Sequence, residues 1–141
     1  MVNGVTNIWF TILKNNFQML GLDRSKPRGI IILGILIGIG AIGQLIMGLT
    51  GQSIAILGGV LQADAALFAY MFYALVSAGI SYGFLKLKKT VFYLSILWFL
   101  WGATNGTSNY LALDNYEMLA DGVLSIVFLA YIISKKVYFV N

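Results

Sequence analysis

"GIIILGILIGIGAIGQLIMGLT" (residues 29–50) runs without a single charge, and its reading decides the fold. A helix rises about 1.5 Å per residue, so a stretch this long crosses the ~30 Å hydrocarbon core of a bilayer. The rest of the chain is of the same kind. Of its 141 residues 60% are hydrophobic and only 10% charged, with a mean hydropathy of +0.87. Too few charges remain to cover the surface of a soluble domain. The composition predicts an all-α integral membrane protein.

Three further apolar stretches follow: residues 65–85, "TVFYLSILWFLWGA" from Thr90, and "GVLSIVFLAYIIS" ending at Ser134. The last two are short for spans unless they recruit residues from the polar island "WGATNGTSNYLALDNYEML" (residues 101–119) between them. With that recruitment the reading is four transmembrane helices, at about 29–50, 65–85, 90–108 and 116–134, forming one domain over 29–141, with a turn near "TSNYLALDN".

The basic residues orient this bundle. Lys14, Arg24, Lys26 and Arg28 precede the first span, Lys86, Lys88 and Lys89 separate the second from the third, and Lys135 and Lys136 follow the fourth. All fall on one side, which the positive-inside rule makes cytoplasmic. Asp64, Asp114, Glu117 and Asp121 fall towards the other side. The expectation is a multi-pass protein of the cell membrane with both termini cytoplasmic. The net charge of +4 then reflects topology, not nucleic-acid binding.

Residues 1–28 do not read as a cleavable signal peptide, because Lys14 and Asn15 interrupt their dispersed apolar positions and no basic region precedes these. Val5, Ile8, Trp9, Ile12, Leu13, Phe17 and Leu20 recur at i, i+3 and i+4 opposite Asn7, Thr11, Lys14 and Gln18. That spacing predicts an amphipathic helix lying in the headgroup region, with docking on another subunit as the alternative. Pro27 breaks the chain before the first span. "GQSIAILGGVLQAD" (residues 51–64) is too short to cross and return as helix. It reads as a shallow interfacial segment, with a re-entrant loop as the alternative.

Small residues four apart let helices approach closely in lipid. Gly34 and Gly38 in the first span, and Gly79 and Gly83 in the second, have that spacing. Packing inside the bundle is the favoured use, and a face kept for another subunit is the sharper one. "GIGAIG" looks like a dinucleotide-binding glycine run, but no strand precedes it. Trp98, Trp101, Tyr110 and Tyr116 read as an aromatic belt. Tyr70, Tyr73 and Tyr82 are expected to face other helices, where their hydroxyls find partners.

Depth counted from the basic end brings one polar group per span to a shared layer, roughly 21–24 Å away at the helical rise: Gln44, Tyr70, Asn105 and Asp121. An interhelical hydrogen-bond network is the plainest reading. A central Asp costs roughly 3 kcal/mol in lipid, so Asp121 needs a donor, a proton or water. A solute, ion or proton site is the second reading and a docking surface the third. Asp114, Glu117 and Asp121 are weak candidates for a hard cation. Asn105-Gly106-Thr107 matches a glycosylation acceptor, but too close to the bilayer to favour modification.

The chain has no cysteine and no histidine, which removes disulfides, thiolate chemistry, the usual zinc sites and His-ligated haem, as well as Ser-His and Cys-His nucleophiles. No cofactor and no catalytic constellation is expected. "KPRGIIILGILIGI" (residues 26–39) and "YGFLKLKKTVFYLSIL" (residues 82–97) resemble a pattern in uncharacterised small prokaryotic membrane proteins, which open on a basic-Pro-x-Gly stretch and carry a basic turn midway. The resemblance implies a four-helix membrane protein and transfers no functional residues. The small multidrug exporters are of similar size, but their membrane-embedded Glu in the first span has no counterpart here, and the glycine and arginine motifs of fluoride channels are missing too. The leading functional expectation is a non-catalytic accessory or structural subunit of a larger membrane complex. The alternative is a small homo-oligomeric transporter or channel with its polar site in the outer half of the bundle. Expected partners are the lipid bilayer and other membrane subunits or further copies of the chain, with no nucleic acid.

Overall fold

The computed structural model describes residues 27–139; the interfacial helix expected before the first span lies, up to residue 26, outside the described residues. Four helices make up most of what is described: α1 (Arg28–Leu49), α2 (Ala63–Lys86), α3 (Lys89–Leu113) and α4 (Tyr116–Ser134). Three of them, α1, α2 and α4, are long and apolar enough to cross a membrane. The longest, α3, is not among these three, because polar residues from Thr104 to Asn109 dilute its second half.

Each helix runs against its sequence neighbour. Gly34 and Gly38 of α1 face Ser81 of α2, while Gly48 faces Tyr70. The Ser81 hydroxyl donates to the Gly34 carbonyl at 2.7 Å, a bond the missing side chain makes possible. Gly83 is where α2 meets Val91 of α3, but Gly79 has open space around it. Thus three of the four glycines singled out by spacing serve internal packing, and Gly79 does not. A crossing where two helix backbones approach directly was not among those pairs. Gly102 and Gly106 of α3 press on Ser125 and Gly122 of α4, and a Cβ on Gly106 would lie 2.6 Å from the Met118 carbonyl oxygen.

The connections explain why α3 is longer than expected. Lys86 leads into Leu87, whose φ of 54° is left-handed. Lys88 N–H then donates to Gly83 O at 3.1 Å and Leu87 N–H to Phe84 O at 3.2 Å, the paired bonds of a Schellman close. At the far end α3 continues to Leu113, and Asp114 turns the chain with a φ of 50°, a conformation Asp tolerates better than most residues. Asn115 caps α4 by accepting from the Glu117 N–H at 2.9 Å. The turn is therefore two residues long, and the polar island is mostly helix.

Residues 51–64 carry a hairpin, a secondary structure that neither reading specified. Ile54–Ile56 (β1) pairs antiparallel with Gly59–Leu61 (β2), with Ile56 opposite Gly59. Leu57 and Gly58 form the turn, with φ values of 49° and 85°. Two positive φ values match the right-handed twist of a hairpin, and alternation of branched apolar residues around a Leu-Gly-Gly punctuation is its sequence signal.

One end of the bundle is closed and the other is split. At the basic end Ile30, Phe84, Phe92 and Ile132 are buried together, and Phe139 folds back among them with ring centroids 5.6 Å from Phe84 and 5.4 Å from Phe92. Lys86 and Lys88 lie over the exposed Tyr82 ring, and Lys135 over Tyr131. Towards the acidic end the pair α1–α2 parts from the pair α3–α4. At the basic end α1 and α4 meet through Ile30 and Ile132, and Gly29 abuts the Tyr131 hydroxyl.

Candidate polar cleft

The hairpin is fastened to α3 by two asparagines one turn apart. Asn105 Oδ1 accepts from Leu57 N–H at 2.8 Å, and Asn109 Oδ1 accepts from Gly58 N–H at 2.7 Å. Asn109 Nδ2 also donates to Ala55 O at 3.0 Å. These bonds serve the turn's outward-pointing amides and offset the cost of holding Leu57 left-handed, about 1 kcal/mol or more for a residue with a Cβ. Close approach is enabled by Gly58, where a Cβ would lie 2.6 Å from that of Ala112. Tyr70 adds a third tie, its hydroxyl donating to Ser53 O at 3.0 Å.

This arrangement redistributes the expected polar layer. Tyr70 is buried and belongs to the hairpin. Asn105 belongs to both sites: its oxygen holds Leu57, and the residue also lines the cleft between the helix pairs. Gln44 and Asp121 line the same cleft. Three of the four layer residues therefore meet at one cavity, while no hydrogen bond joins Asn105 to Asp121. Asn109, fully buried, was missed: a turn placed at residues 107–115 hid the fact that Asn105 and Asn109 share one helix face.

The acidic trio does not assemble. Asp114 is a turn residue, Glu117 sits in the first turn of α4, and Asp121 lies one turn further in. Among the described residues no group of three acidic side chains is placed to hold a metal ion.

The cleft has two parts joined at Gln44 and Trp98. The outer part, of about 200 Å³, is walled by Tyr73, Trp98 and Trp101 and reached by Asp121 and Ser125. The inner part, of about 230 Å³, is an apolar groove between Leu36 and Ile37 of α1 and Phe128 of α4, with Gly40 and Ser77 completing it. Trp101 Nε1 donates to the Tyr73 hydroxyl at 3.1 Å, and the Tyr73 and Trp98 rings meet edge-on at 5.4 Å. Trp98 and Trp101, read as an interfacial belt, thus form a wall of the cavity. Tyr110 and Tyr116 do pair at the helix ends, 5.4 Å apart.

One acceptor in this cavity stands out. Gln44 Oε1 is buried and has no hydrogen-bond partner. Asp121 has no hydrogen bond or ion pair among the described residues. The Trp101 donor is already used by Tyr73. Beside the Asp121 carboxylate and Gln44 Oε1, the cleft is lined by aromatic rings and by donor-bearing side chains, Asn105, Ser125 and Trp98. No family model, curated protein or solved structure matches this chain.

Proposed function

We propose that the chain crosses the membrane four times, with its basic end cytoplasmic, and acts without catalysis by binding a donor-bearing solute in the cleft between its helix pairs. The supporting observation is the buried Gln44 Oε1, left without a partner in a cleft that the exposed Asp121 also lines. Unsatisfied polar groups are costly there, so the cleft is a place to be completed by water or a ligand. This promotes the transporter or channel reading, with Asp121 as its charged member. α3 qualifies as the fourth span in this account because the hairpin amides cover Asn105 and Asn109.

A second reading, an accessory subunit of a membrane complex, rests on different residues. Around Gly43 of α1 and Gly79 of α2, neither of which lines the cleft, a Cβ would meet nothing within 4 Å. Small residues unused inside the chain are what a neighbouring helix packs against.

The absence of cysteine makes the two separable with one engineered thiol, Ser125→Cys. A charged methanethiosulfonate should label it both in native membranes and after reconstitution of the purified protein if the cleft is an open binding site. Labelling only after purification favours a partner seated over the cleft. A thiol that stays inert in both settings contradicts the open binding site.

A further inference from the structure

The contents of the cleft constrain what it takes. At about 200 Å³ the outer part is smaller than the roughly 300–1,000 Å³ that drug-sized ligands occupy, so it accommodates a head group and not a bulky scaffold. Its charged member is a carboxylate, Asp121, with no cation beside it among the described residues. Its buried amide oxygen, on Gln44, needs an N–H or O–H donor. The Tyr73 and Trp98 rings line the wall, edge-on to each other, and an aromatic face attracts cations. Beyond Gln44 the cavity turns apolar, between Leu36, Ile37 and Phe128.

Resting on the binding reading above, we infer that the cleft is a site for a primary ammonium group carrying an alkyl chain. The ammonium sits between the Asp121 carboxylate and Gln44 Oε1 against the aromatic wall, and the chain lies in the groove towards Phe128. A quaternary ammonium satisfies the charge and the rings but leaves Gln44 Oε1 unpaired, so it binds less well. An anionic head group meets Asp121 with like charge. The same ammonium chemistry occurs on free alkylamines and on ethanolamine lipid head groups, and both compete for one site.

The test uses the full chain in phosphatidylcholine nanodiscs. Trp9→Phe leaves Trp98 and Trp101, of the three tryptophans, as fluorescent reporters of the cleft. Hexylammonium should give a saturable change, with hexyltrimethylammonium at least several-fold weaker. Hexyl sulfate and hexanol should give only the linear signal of partitioning into lipid. Asp121→Asn should weaken hexylammonium binding at least tenfold, and Asp121→Glu should retain it, which separates loss of charge from loss of fold. Adding phosphatidylethanolamine to the nanodiscs should shift the hexylammonium curve if the lipid head group occupies the site. An unshifted curve assigns the site to free amines. Saturation by hexyl sulfate or hexanol, or unchanged affinity in Asp121→Asn, overturns the ammonium assignment while leaving a binding cleft. No saturable signal from any probe overturns the cleft as a binding site altogether.

Discussion

Removing the Asn109 carboxamide leaves the Gly58 N–H and the Ala55 carbonyl without partners beneath the hairpin. Stranding buried polar groups costs about 1–3 kcal/mol apiece, so Asn109→Leu should lose about 3 kcal/mol, read as a lowered thermal midpoint in detergent. Asn109→Asp keeps the acceptor for Gly58 but sets a carboxylate oxygen against the Ala55 carbonyl in a fully buried position, so its loss should be at least as large. An unchanged midpoint in Asn109→Leu would show that the hairpin is not held this way. At this scale the sequence was only partly legible. Gln44 and Asp121 stood out because a polar residue in a greasy span is expensive wherever it points. Asn105 and Asn109 could not be assigned, because their partners are backbone amides of a hairpin roughly 50 positions away, and backbone amides carry no residue-type signal.

Glycines test the helix pairing. Gly106 sits where α3 and α4 backbones meet, so a methyl group there strikes the Met118 carbonyl and Gly122. Overpacking of this kind costs about 1–3 kcal/mol; Gly106→Ala should destabilise the protein by about that much and loosen the α3–α4 pair. Gly79→Ala meets open space, and its thermal midpoint in detergent should stay within about 0.5 kcal/mol of wild type. Equal behaviour of the two variants would contradict the pairing. Spacing alone pointed to Gly34, Gly38, Gly79 and Gly83, because small residues four apart within an obvious span are readily seen. Gly102 and Gly106 have the same spacing but were hidden inside the polar island, whose helical character depends on a hairpin covering it. The hairpin itself was unread because "SIAILGGVLQ" is apolar, and in a chain this apolar hydrophobicity no longer separates strand from interfacial segment.

Over the whole molecule the charges sort to two ends. Arg28, Lys86, Lys88, Lys89, Lys135 and Lys136 lie at the end where Phe139 closes the core, while Asp64, Asp114 and Glu117 lie at the other. That segregation, and the number of helices, were readable from the sequence, since lysine spacing and apolar length are one-dimensional properties. The split between the two helix pairs was not, because it depends on which side chains fill the α1–α4 seam. The account rests most heavily on α3, the helix too polar to cross by composition, doing so with its asparagines under the hairpin. Two single-cysteine variants flank it: Thr90→Cys near its basic start and Asn115→Cys in the turn after it. In sealed right-side-out vesicles a membrane-impermeant maleimide should label Asn115→Cys at once and Thr90→Cys only after permeabilisation. Labelling of both from the same side would show that α3 does not cross, and the four-span bundle with its lateral cleft would be wrong.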